Sequence, residues 1–308
     1  MQKKVKKVIE VKNLVKQYPK LTAVNGVTFD VYQGEIFGLL GENGAGKTTT
    51  LEMIEGLRKP TAGEIKVAGF DRYTQLDQIK HKIGVQLQSS AYYQFLTLRE
   101  IVSLFCTFYG CDIDPISMLK MVDLEDKADS FINSLSGGQK QRFSIIASLV
   151  NDPEIVFLDE PTTGLDPIAR RNLWELITEI KSKGKTVVLT THYMEEAEIL
   201  CDRVAIMDKG IILALDETHR LVEKVDYPLS INFIDGKTDQ TELERLKKVG
   251  KLTQTLGKEK HFNLRLQKQD DLNFALSIIL KFKPESLLVG RATLEDVFVE
   301  LTGKKIEE

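Results

Sequence analysis

Residues 41–48 read Gly41-Glu42-Asn43-Gly44-Ala45-Gly46-Lys47-Thr48, a complete match to G-x-x-x-x-G-K-[ST]. An apolar run over 36–40 precedes it and a helix-compatible stretch over 49–56 follows, which is the strand–loop–helix setting the pattern requires. Glycines at 41, 44 and 46 free the backbone to curl so that its N–H groups point at phosphate oxygens. The helix N-terminus adds partial positive charge, Lys47 supplies a full one, and the Thr48 hydroxyl suits Mg²⁺. Thr49 continues the cradle into the helix. A second apolar run, 155–158, ends in Asp159-Glu160-Pro161. Beside a phosphate loop, Asp159 is placed to hold Mg²⁺ and Glu160 to act as general base on an attacking water. The guanine-reading pattern N-K-x-D is absent, which argues against a GTPase.

Around these motifs, runs rich in β-branched residues (35–40, 155–158, 186–190, 203–207) alternate with helix-period segments. The second and third are nearly continuous apolar strands, so an α/β core with a parallel sheet covered on both faces is expected. The 308 residues allow two domains, and 42 Lys plus Arg against 45 Asp plus Glu leave a net charge of −3. That balance exerts no overall pull toward nucleic acid or an anionic membrane. No stretch approaches the roughly 18 apolar residues of a membrane span. The basic start (Lys3, Lys4, Lys6, Lys7) lacks an apolar core, because Glu10 and Lys12 follow at once. A soluble chain without signal peptide is expected. Cys106, Cys111 and Cys201 form no even framework and no metal-ligand spacing, so they read as reduced thiols.

Leu135-Ser136-Gly137-Gly138-Gln139 lies between the two motifs and opens a helix-like stretch over 140–150. Here the chain closely resembles the ABC ATPase superfamily. The resemblance implies an α/β P-loop core of ABC ATPase type with a helical subdomain, which binds and hydrolyses ATP with Mg²⁺. In that family Ser136, Gly137, Gly138 and Gln139 would meet the γ-phosphate of ATP held by the opposite subunit; two glycines and a helix N-terminus suit an anion. Gln88 aligns with the Q-loop glutamine, a metal-sensing position, with Gln86 as a rival that the offset from Ile83-Gly84 disfavours. Gly164-Leu165-Asp166 resembles the D-loop, and His192 the switch histidine. Tyr18 resembles the aromatic that stacks on adenine, worth about 1–3 kcal/mol by analogy with other base platforms. Pro19-Lys20 follows it where many relatives carry Gly. The resemblance spans roughly 8–220, with the catalytic set Lys47, Gln88, Glu160 and His192 intact.

A domain boundary is expected near 222, giving 1–222 as the ATPase domain, with its helical subdomain at about 89–150, and 223–308 as an accessory module. The latter reads strand (229–234), helix (242–249), strand, strand (261–266), helix (271–282), strand (286–289), helix (294–301), a ferredoxin-like α+β order. Tyr92, Tyr93 and Phe95 cluster where relatives receive a helix of the membrane subunit; core packing is the equal alternative. Residues 191–198 and 292–298 resemble the exporter branch with separately encoded permeases. The resemblance therefore implies a polytopic permease partner, a second ATP-binding subunit (a homodimer), no nucleic acid, and a peripheral place on the cytoplasmic face of the cell membrane. The alternative is a soluble ABC ATPase on ribosome or nucleic acid. The short helical insert, the single cassette and the lack of a basic aromatic patch disfavour it.

Overall fold

The computed structural model describes residues 6–87, 92–234, 240–255 and 261–303. Three strands, Ile36–Leu40, Ile155–Asp159 and Thr186–Thr191, have every residue buried. Burial on both faces is why their sequences show no polar alternation. They lie in a six-stranded sheet whose order is Ile211–Glu217, Arg203–Asp208, Ile36–Leu40, Thr186–Thr191, Ile155–Asp159, Ile83–Gln86. All pairings are parallel except the first, which is antiparallel at the edge. Parallel neighbours align the carboxyl ends of the central strands, and so bring Gly41, Asp159 and His192 to one rim of the sheet.

A four-stranded antiparallel sheet built from Leu21–Tyr32, Lys7–Tyr18, Ala62–Val67 and Phe70–Asp71 was not expected from sequence. The long pair Lys7–Tyr18 and Leu21–Tyr32 is interrupted by several register shifts. Such irregularities break strict alternation, and with it the strand signal. The sheet buries Ile9, Val11, Leu14, Val27 and Phe29 in one core with Phe37, Leu39 and Met53. Phe29 stacks on Phe37 with ring centroids 5.1 Å apart. Each fully buried side chain of this size contributes about 1.5–3 kcal/mol against exposure.

The helices Leu98–Tyr109, Pro115–Lys120 and Gly137–Ala147 occupy the helical segment. The first is set by a capping box between Thr97 and Glu100 and buries Leu98, Ile101, Val102 and Cys106 at helical spacing. Among the described residues no helix is long and apolar enough to cross a membrane.

The chain divides into two compact units, Met1–Glu217 and Thr218–Glu308. The helix Thr218–Glu223 thus goes with the second unit, and the division falls a few residues before 222. Within that unit the sheet order is Lys251–Thr255, His261–Leu266, Leu229–Ile234, Ser286–Arg291, antiparallel throughout. With helices Gln240–Val249 and Gln269–Ile279 between the strands, this is the ferredoxin-like arrangement. Ile231, Phe233, Phe262, Leu264 and Ile278 form its core.

The phosphate-loop helix Lys47–Glu55 ends on a buried acid: Glu55 is 4% exposed, and among the described residues neither carboxylate oxygen has a hydrogen-bond partner. Burial, and then the nearby charges of Asp159 and Glu52, push its carboxyl up to about 8. Between its unfolded and folded values the native state binds the extra proton, so this group makes stability fall as pH rises. Thermal melts of the wild-type chain should lose ground to Glu55→Gln from roughly pH 5 to 8, by up to about 1.4 kcal/mol per pH unit. Parallel melting curves for the two proteins over that range would contradict this.

Candidate nucleotide site

The phosphate loop is held open by contacts that only glycine permits. Gly46 has φ +101°, and a Cβ there would meet the Ala23 carbonyl oxygen at 2.5 Å. A Cβ on Gly41 would lie 2.3 Å from the Met207 carbonyl oxygen. The loop is therefore wedged between the hairpin strand Leu21–Tyr32 and the end of the strand Arg203–Asp208. Gly44 has φ +84° with open space around it, and Asn43 beside it is exposed. Ala45 is buried, while Glu42 and Thr49 are partly so.

Lys47 is 4% exposed and folds back on its own loop, donating to the carbonyl oxygens of Gly41 at 2.8 Å and Glu42 at 3.1 Å. Its Nζ stands 3.4 Å from Glu160 Oε1. Burial lowers the Lys47 pKa, and the Glu160 carboxylate opposes that. Thr48 donates to Asp159 Oδ1 at 3.1 Å, and Thr190 donates to the same oxygen. Burial raises the Asp159 pKa against these two hydroxyls. An alcohol and a carboxylate side by side form an all-oxygen donor set, which fits a hard cation such as Mg²⁺ that keeps its remaining positions for water and phosphate.

Glu160 is 7% exposed and adopts φ +47°, a left-handed conformation uncommon for a non-glycine residue. Such backbone costs of order 1–3 kcal/mol and persists where neighbours over-determine it. Here the Glu160 N–H donates to Thr190 Oγ1 at 2.9 Å, and Thr163 donates to Glu160 Oε2 at 3.1 Å. His192 Nδ1 lies 3.4 Å from that same Oε2, and its ring packs on Tyr193. Lysine, glutamate and histidine thus converge, with Asp159 beside them.

Two further helices begin at sequence-predicted site residues. Ser136 caps Gly137–Ala147: its hydroxyl accepts from Gln139 N at 3.3 Å, and Gln139 Oε1 accepts from Ser136 N at 2.9 Å. Ser136 and Gly137 are exposed, and Gly138 comes close enough to Ala169 that a Cβ would meet it at 3.2 Å. Asp166 caps Pro167–Ser182 with 3.0 Å bonds from Ile168 N and Ala169 N. Ser136 and Asp166 are both exposed. Tyr18 ends its strand with its hydroxyl accepting from Arg58 Nη1 at 2.6 Å. Gln88 lies outside the described residues. Gln86 is buried at its strand end, its amide donating to Leu87 O at 2.7 Å.

Thr190 was missed in sequence, although it fixes both Asp159 and the Glu160 backbone. Its signal was a threonine next to the end of the buried strand Thr186–Thr191, two residues before His192. Thr163 was missed too; it lies within the Pro161–Asp166 loop and looks there like an ordinary turn residue. Tyr92 turns inward, donating to Ser144 Oγ at 3.0 Å with its ring 5.3 Å from that of Phe143. Tyr93 and Phe95 remain 65% and 91% exposed, so the cluster splits between core and surface.

A phosphate loop, an acidic strand end, a serine-capped signature helix and a histidine just past the neighbouring strand Thr186–Thr191 match an ABC-type ATPase. Residues 24–163 match the family model described as ABC transporter. The chain is 37% identical over 306 residues to the Nod factor export ATP-binding protein I of Burkholderia orbicola, covering 97% of this chain and 98% of that one. It is 36% identical to the protein of the same name from Rhizobium sp., with the same coverage. Among solved structures, an ATP-binding subunit of an ABC transporter matches with TM-score 0.64 at 32% identity, covering 70% of this chain and 92% of that one. A dimeric ATP-binding cassette in a post-hydrolysis state with ADP and Pi matches with TM-score 0.62 at 28% identity, over 68% of this chain and 98% of that one. The chain belongs to the ABC transporter family, as an ATP-binding subunit.

Gly46→Ala should force the loop off the Ala23 carbonyl and lower ATP affinity by at least about tenfold, measured by titration with a fluorescent ATP analogue. Affinity within twofold of wild type would contradict the wedge.

Proposed function

We propose that this chain, an ABC-type ATPase, is the engine subunit of an exporter: two copies pair head to tail around ATP and drive a separate polytopic permease at the cytoplasmic face of the membrane. The convergence of Lys47, Glu160 and His192, with both Glu160 oxygens engaged at 3.4 Å, carries the catalytic half of this reading. The names of full-length relatives in two genera as export ATP-binding proteins support the transport half.

In this reading Lys47 leaves the loop carbonyls for the β- and γ-phosphates, whose charge restores its cationic form against burial. Gly41, Glu42, Asn43, Gly44, Ala45 and Gly46 present backbone N–H groups to the phosphates, with Thr49 continuing into the helix. Thr48 and Asp159 would hold Mg²⁺, with Gln88 as a further ligand; the ion would supply charge neutralisation at the phosphate oxygens. Glu160 takes the proton of the attacking water as it adds to the γ-phosphorus, and the P–O bond to ADP breaks. His192 steadies the γ-phosphate and the Glu160 carboxylate. Ser136, Gly137, Gly138 and Gln139 of the second copy close on that phosphate with their helix N-terminus, and Asp166 shapes the contact between copies. Tyr18 stacks on the adenine.

The exposed caps at Ser136 and Asp166 leave these residues free to meet a second chain. ATP then joins the copies, and loss of the γ-phosphate removes charge-assisted contacts and lets them part. The exposed Tyr93 and Phe95 suit the permease side of the cycle.

Glu160→Gln should bind ATP and elute as a dimer in its presence while turnover drops at least about 100-fold. Near-normal turnover would sink the base assignment. The same ATP-trapped variant, captured from native membranes, should bring down a polytopic permease; ribosomes or nucleic acid without a membrane protein would overturn the transport reading.

A further inference from the structure

The short helix Met194–Leu200 follows His192 and carries an acid into the interior: Glu196 is fully buried, beside Met194, Ala197 and Leu200 on the same helix. Its Oε1 accepts from Trp174 Nε1 at 3.1 Å, on the helix Pro167–Ser182 that Asp166 caps. Burial raises the Glu196 pKa, and the hydroxyls of Thr191 and Thr162, the Trp174 indole and the Arg170 charge oppose that rise. Thr162 stops short of a full hydrogen bond: among the described residues neither its Oγ1 nor Glu196 Oε2 has a partner. Arg170 in turn lies 4.4 Å from the ring of Tyr193, on which His192 packs.

The places of these residues in the chain give the cluster its meaning. Thr191 immediately precedes His192, Thr162 stands two residues after Glu160, and Trp174 lies on the helix that follows the loop from Glu160 to Asp166. An acid is costly inside a protein unless its partners compensate, and an apolar side chain would fill the same space without that cost. We propose that Glu196 is a positioning residue for hydrolysis: it ties the strand end that carries His192 to the segment that carries Glu160, so that histidine and base keep their register. It acts through those two residues and not through nucleotide binding, because Lys47 is held by Gly41, Glu42 and Glu160 instead. The inference rests on the roles read above for Glu160 and His192.

The test replaces Glu196 in the full chain by Met, which keeps its length and removes its hydrogen bonds, and by Gln, which keeps both. Steady-state ATPase assays with ATP varied read kcat and KM separately. Glu196→Met should lower kcat at least about tenfold with KM within about twofold of wild type, whereas Glu196→Gln should keep kcat within about threefold. The chain has one tryptophan, so a changed Trp174 emission in Glu196→Met should confirm that the indole bond is lost. Wild-type kcat in Glu196→Met, a loss carried by KM, or a Glu196→Gln chain as slow as Glu196→Met would overturn the proposal. Where thermal melts show that Glu196→Met does not fold, Thr162→Val takes its place, keeping shape while removing the hydroxyl that faces the acid. It should lower kcat several-fold at unchanged KM, and wild-type kcat there would equally overturn the proposal. The roles of Glu160 and His192 fail separately, through near-normal turnover of Glu160→Gln.

Discussion

The structure depends on a small set of buried charges at the carboxyl ends of parallel strands. Lys47, Asp159 and Glu160 are each less than about a tenth exposed, and each is held by hydroxyls, carbonyls or an opposite charge. Removing any one partner would strand a charge in a dry site, which costs several kcal/mol. Burial disfavours the ionised forms of Lys47 and Asp159, against the opposing pull of their neighbours.

That constraint extends outward along the strands. Thr190 reaches both Asp159 and the Glu160 backbone, so the strand Thr186–Thr191 fixes the acid pair and carries His192 immediately after it. At the other end of the phosphate-loop helix, Glu55 borders an apolar cavity. One nine-residue helix therefore runs from the phosphate loop to a buried, uncommon acid.

Much of the core was legible because the motifs are local. The phosphate loop, the strand ending in Asp159-Glu160 and the capped Ser136 helix each carry backbone demands that few residue types meet. The C-terminal order of strands and helices was legible from periodicity alone, with Phe233 and Phe262 facing inward as alternation requires. The antiparallel sheet was not legible, since its register shifts erase alternation in Lys7–Tyr18. Nor were Thr190, Thr163 and Glu55, whose importance comes from contacts between residues distant in sequence or from burial without a partner. Tyr92 shows the same limit: its neighbours Tyr93 and Phe95 share its chemistry, and only packing against Phe143 sets it apart.

The central claim is that each site is shared between two chains, Lys47 from one and Ser136 from the other. Mixing a Lys47→Ala chain with a Ser136→Arg chain tests it most directly, each variant being inactive as a homodimer. Head-to-tail pairing gives every mixed dimer one intact site, so ATP turnover should recover to about a quarter of wild type when subunits exchange freely. No recovery, with exchange verified by differently tagged copies, would mean that the site closes within one chain and would contradict the account.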